Sequence, residues 1–147
     1  MLSRPRACAP DRGTVLFLFP AAFLIMIVLG AIVVDVGLSH VRARELEATA
    51  SSAANDALAA LDVAALREDG ELRFDLIRAE QIVRESVANG ALTDAVVVAV
   101  GVGTNGAGDP QLEVTLELEV EFIMAPALPG GLDSTTITRT RTASILG

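Results

Sequence analysis

From Thr14 to Val34 the chain reads TVLFLFPAAFLIMIVLGAIVV, without one charged residue. A helix rises about 1.5 Å per residue, so this run reaches roughly 30 Å, the thickness of a bilayer's hydrocarbon core. It is apolar on every face, unlike the one-sided helix of a soluble core. A transmembrane helix is therefore predicted, with Thr14, Pro20, Gly30 and Val34 inside it and Asp35 closing it. The rival is a cleaved secretory signal, whose apolar core runs about 7 to 15 residues and ends in a small-x-small site. Here the run is longer, and Leu29-Gly30-Ala31 lies within it, followed by Ile32-Val33-Val34. A retained span is the expectation.

Orientation follows from the flanks. Arg4, Arg6 and Arg12 precede the run and Asp35 follows it, which under the positive-inside rule leaves the N-terminus in the cytoplasm, although Arg42 and Arg44 reduce the bias. The chain then divides into a basic cytoplasmic tail (1–13), a transmembrane helix (14–35) and an extracytoplasmic domain (36–147) at the plasma membrane. From Asp35 onward eight arginines stand against eighteen Asp plus Glu, and the chain has no lysine. That balance argues against nucleic acid, and against an anionic bilayer surface, as partners of the outer domain. The single cysteine, Cys8, falls in the tail, so the outer domain forms no intramolecular disulfide and depends on burial. Cys8 also precedes the apolar run, where a lipoprotein cysteine would follow it.

Beyond the run, residues 36–66 contain no proline and a single glycine, Gly37. The segment VRARELEATASSAANDALAALDVAAL is rich in Ala, Leu, Glu and Arg, strong helix formers, and predicts one helix continuous with the span. Val41, Leu46, Ala50, Ala53, Ala57, Leu61 and Ala64 form a narrow stripe of mostly small side chains. Such a stripe packs either on the domain's own sheet or against helices of neighbouring subunits, which small residues allow to approach closely. Asp69-Gly70 marks a turn, and FDLIRAEQIVRESVANG predicts a second helix with Phe74, Ile77, Gln81, Ile82 and Val83 on its apolar face and Asn89-Gly90 as its stop.

The remainder reads as strands. Residues 95–100 are short and β-branched, and TNGAGDP carries Asn105-Gly106 as a turn signal. From Leu112 to Phe122 the even positions are apolar, whereas Glu113, Thr115, Glu117, Glu119 and Glu121 are polar, so one face is buried and the other wet. Pro126, Pro129, Gly130 and Gly131 break the chain before a Thr-rich strand, STTITRTRTASI. Placing Arg139 and Arg141 on the acidic face calls for an antiparallel register in which paired residue numbers sum to an even value; a sum of 258 sets Glu119 opposite Arg139 and Glu117 opposite Arg141, each pair contributing about 0.2 to 1 kcal/mol.

Catalytic parts are sparse. The one histidine, His40, stands near the end of the span with no second His and no outer Cys to form a metal cage or nucleophile pair. GVGTNG lacks the Lys-Ser/Thr of a phosphate-binding loop and leads from strand to strand, which makes it a hairpin connection. Glu113, Glu117, Glu119 and Glu121 sit on a strand face, without the tight D-x-D-x-D-G loop of a calcium site, and read as a solvated surface. Asp35 marks the membrane boundary or pairs with a basic group on a neighbour. No enzyme activity, cofactor, metal or small-molecule substrate is expected; the bilayer is.

The N-terminal part, DRGTVLFLFPAAFLIMIVLGAIVVDVG followed by RARELEATASSAANDALAAL, resembles the TadE/TadG-like family of Flp (tight adherence) pilus assembly proteins. The matching pieces are Arg12-Gly13, Asp35-Val36-Gly37, and Leu46-Glu47 leading into Ala50, Ala53, Ala54 and Ala57. They cover roughly the first 60 residues; beyond them only the order of helix, strands, Pro-Gly break and terminal strand agrees. Glu47 stands where the family carries Gln, Ser51 replaces a common acidic residue, and Leu18 stands five residues after Gly13 where processed pseudopilins keep a glutamate. The chain is thus more similar to unprocessed, TadG-like members. The resemblance implies a minor membrane-anchored component of a Flp-type (type IVc) pilus or related secretion system, with pilins, pseudopilins or platform proteins as partners. The fold expected is α+β on a pilin-like plan: the long N-terminal helix, a second helix, and an antiparallel sheet of about three strands.

Overall fold

A run of helix formers uninterrupted by paired glycines gives the first element its length. The computed structural model describes residues 12–128 and 130–145; the tail with Arg4, Arg6 and Cys8 lies outside them. Helix α1 (Arg12–Ala57) has 46 residues, so its axis is roughly 70 Å long. It carries Pro20 internally, which has no N–H to give the helix ladder.

The helix stops earlier than its composition suggests. A single 3-10 turn (Leu58–Ala60) follows α1, and the chain restarts as α2 (Val63–Glu68). The cause is Asp62, whose carboxylate accepts from the backbone N–H groups of Ala64 and Ala65 at 3.0 and 3.1 Å, an N-cap that competes with helix continuation. The bend is pinned by the returning chain: Leu61 bridges Phe74, Asp62 N–H donates to the Arg73 carbonyl, and Asp75 N–H donates to the Ala60 carbonyl, both at 2.9 Å. Helix α3 (Leu76–Ala88) is capped in the same manner by Asp75, which accepts from Ile77 and Arg78. It ends at Asn89, as expected. Its buried face differs from the expected one: Ala79, Val83 and Val87 are covered, Ile82 partly, while Gln81 is exposed and Ile77 is 84% exposed. Ala79, Val83 and Val87 lie one helical turn apart, and the small Ala79 permits close approach to α1.

Strands β1 (Val96–Thr104), β2 (Pro110–Glu121) and β3 (Ser134–Ser144) form an antiparallel sheet in the order β1-β2-β3. At the β1–β2 hairpin the Asn105 side-chain oxygen accepts from the N–H groups of Ala107 and Asp109 at 2.9 and 2.8 Å, and Gly108 takes φ +91°. On β2 the even positions Leu112, Val114, Leu116, Leu118 and Val120 are buried, as the alternation predicts. Helix α1 packs on β2 and β3, and α3 on β1. The stripe Leu46, Ala50, Ala53, Ala54 and Ala57 is completely buried against the chain's own sheet and α3. Val41 and Ala64, at the ends of the predicted stripe, are exposed. The protein is thus an α+β fold of two layers, with an apolar helix projecting from one end.

The expected register of β3 is not adopted. Leu116 pairs with Arg139 and Val114 with Arg141, whereas Glu117 and Glu119 face Thr138 and Thr136. Directly paired residues share a face, so both arginines lie on the helix-covered side, opposite the glutamates. Burial decides the matter. Ile137 and Ala143 have the same parity as the arginines, and covering them against the core outweighs two exposed ion pairs worth about 0.2 to 1 kcal/mol each. The arginine stems lie along α1, and Arg141 ends in a salt bridge to Glu47.

Candidate functional site

Between β2 and β3 the chain forms a loop whose residues 122–132, FIMAPALPGGL, include no charge; Glu121 and Asp133 bracket it. Phe122 N–H donates to the Asp133 carbonyl at 2.8 Å and closes its base. Inside it a 3-10 turn (Ala125–Ala127) has Pro126 near its start, where a missing N–H costs nothing. Gly130 takes φ +76°. A side chain at Gly131 would put its Cβ 1.8 Å from the Ala125 carbonyl oxygen, so the loop closes only over a glycine.

This loop is held by Asp35. The carboxylate accepts from Ile123 N–H at 3.0 Å, from Met124 N–H at 3.1 and 3.2 Å, and from Ala125 N–H at 2.6 Å. Those donors begin the 3-10 turn and would otherwise lack partners, as at any helix N-terminus. Asp35 is 5% exposed, and Ala31, one turn below it, is 4% exposed. Ile32, Val36, Phe122, Ala125 and Leu128 surround the contact and line an apolar cleft beside it. Asp35, at the end of the apolar run, thus fastens the base of the apolar helix to the β2–β3 loop.

Sequence reading placed Asp35 at the boundary and missed its inward direction, though a signal was available. Ala31, Asp35, Leu38, Arg42, Leu46, Ala50, Ala53 and Ala57 follow one another at steps of three and four, so Asp35 stands on the same helix face as the Ala-rich stripe.

Below this point α1 is bare. Leu18, Phe19, Phe23, Leu24, Ile25, Met26, Leu29 and Val33 are each more than half exposed. It is the one helix among the described residues long and apolar enough to cross a membrane. Thr14 begins the apolar run near the helix start, and Pro20 and Val34 lie exposed within it. At Gly30 and Gly37 a Cβ would meet nothing within 4 Å, so neither glycine is required by packing within the chain. Arg12 and Gly13 open α1.

The remaining motif residues are structural. Leu46, Ala53 and Ala54 belong to the core, and Glu47 holds Arg141. His40 is exposed, beside a shallow groove that also takes in Phe122, Ile137 and Arg139. Glu113, Glu117, Glu119 and Glu121 occupy the open sheet face with Thr136, Thr138, Thr140 and Thr142, and Glu119 accepts from Ser134 Oγ at 2.6 Å. Among the described residues no group of three or more His, Cys, Asp or Glu side chains converges to hold a metal ion.

The fold defines a class: a small α+β domain carried on a long helix whose free half is apolar enough to cross a bilayer. Compared with models of known families, with curated proteins and with solved structures, the chain matches none.

Proposed function

We propose that this protein is a single-pass component of the plasma membrane with a cytoplasmic N-terminus and an extracytoplasmic domain, and that it serves pilus assembly without enzyme activity. The observation that carries the reading is the bare apolar half of α1, continuous in one helix with the half that forms the domain's core. Water is a poor solvent for a projecting helix that exposes Phe19, Phe23, Ile25 and Val33 together; lipid or other apolar helices suit it. The Asp35 contact favours retention over signal cleavage, since a cut between residues 32 and 40 would free or remove the residue that fastens the β2–β3 loop.

The assignment to a Flp-type pilus or related secretion system rests on the Arg12-Gly13, Asp35-Val36-Gly37 and Ala-rich helix motifs. The geometry is compatible with it. With the Ala stripe used internally, the faces left for lateral contact with pilins, pseudopilins or platform proteins are those of the apolar half, including the open positions Gly30 and Gly37. Cross-linking from cysteines placed at Ile25 and Val33 in the native host tests the reading. Adducts with Flp-type pilins or platform proteins are expected; adducts solely with components of another envelope complex would overturn the pilus assignment and leave the anchor.

A further inference from the structure

We infer that the β2–β3 loop, in its described residues 122–128 and 130–132, is a second membrane contact: it dips into the outer headgroup–acyl boundary of the bilayer that α1 crosses. The inference rests on the reading of α1 as a membrane span and goes beyond it. The loop's height is fixed by Asp35, which holds it at the end of the apolar run, and its residues Phe122, Ala125 and Leu128 line one apolar cleft with Ile32 of that run. A segment that shares a cleft with Ile32 lies next to the hydrocarbon boundary if residues up to 34 are in lipid.

The loop is chemically suited to that place. Its outward side chains are apolar and bare: Ile123 is 65% exposed, Leu132 69% and Met124 38%. Entry into the interface is also favoured when backbone donors already have partners within the chain. Asp35 takes the N–H groups of Ile123, Met124 and Ala125; carbonyls within the loop take those of Ala127, Leu128 and Gly131; Pro126 brings none. The charges at the loop's base, Glu121 and Asp133, are acidic, so the attraction is apolar and needs no anionic lipid.

The test uses the full chain in phosphatidylcholine vesicles, with Cys8→Ser removing the native thiol and an environment-sensitive fluorophore attached to single cysteines. Ile123→Cys and Leu132→Cys probe the loop, Leu24→Cys the span, and Ala107→Cys the hairpin at the opposite end of β2. The expected result is blue-shifted emission at 123 and 132, with loss of intensity in lipid brominated on its acyl chains and unchanged intensity at 107. Quenching at 24 with water-like, unquenched emission at 123 and 132 would overturn the loop contact and leave the span intact. Water-like emission at 24 would overturn both. Blue-shifted but unquenched emission at 123 and 132 would indicate that a second copy covers the loop, and would also overturn the inference.

Discussion

Asp35 Oδ2 accepts a hydrogen bond from the backbone N–H of Ala125 at 2.6 Å, across 90 residues of chain. One carboxylate thus joins the foot of the domain's helix to the β2–β3 loop of its sheet. The contact ties the upper end of the apolar half of α1 to the domain.

Removing that carboxylate leaves the donors of Ile123, Met124 and Ala125 without their acceptor. In Asp35→Ala, hydrogen exchange at those three amides is expected to rise by roughly an order of magnitude or more, while amides of β2 stay protected. Asp35→Asn, which retains one carbonyl oxygen, is expected to fall between the two. Residue-resolved exchange on the chain in detergent micelles checks the order.

The loop's closure depends on Gly131 in the same way. Gly131→Ala drives a Cβ into the Ala125 carbonyl and is expected to open the loop and expose it to protease between Phe122 and Asp133. Gly106→Ala, where a Cβ meets nothing within 4 Å, is expected to leave the digestion pattern unchanged. Limited proteolysis followed by mass analysis separates them.

Small side chains set the distance between α1 and the layers it packs on. Ala53 is completely buried, so Ala53→Leu overfills the core and is expected to cost about 1 to 3 kcal/mol. Leu116→Ala, which leaves a cavity beneath the same helix, is expected to cost about 2 to 5 kcal/mol. Chemical denaturation monitored by circular dichroism measures both.

The Glu47–Arg141 salt bridge is half exposed on both sides and contributes little. Glu47→Gln is expected to change stability by less than about 1 kcal/mol, and 1 M salt is expected to remove most of the difference. Denaturation midpoints at low and high salt test this.

Much of the architecture was legible because periodicity reports burial. The alternation from Leu112 to Phe122 assigned the faces of the central strand, and Asn105-Gly106 marked its hairpin. Three features were not legible, each for a physical reason. The end of α1 at Ala57 was hidden because Ala-Leu composition continues past it; the local N-cap at Asp62 and the bridge from Leu61 to Phe74 decide the break. The β3 register is not legible from its charges, because the burial of Ile137 and Ala143 is worth more than two exposed ion pairs. The role of Asp35 depends on backbone donors in a loop remote in sequence, and no side-chain pattern there advertises them. Its phase on the Ala31-to-Ala57 face was the usable clue, because an acid on a buried stripe needs donors from whatever covers it.

The account centres on a span that remains joined to its domain. Its most direct test is the mass of the mature protein recovered from membranes of the native host after alkaline carbonate washing. The prediction is that the chain stays with the membrane pellet at a mass that includes residues 14–34, and that protease added outside spheroplasts removes the α+β domain. Recovery in the wash of a product beginning between residues 32 and 40 would contradict it.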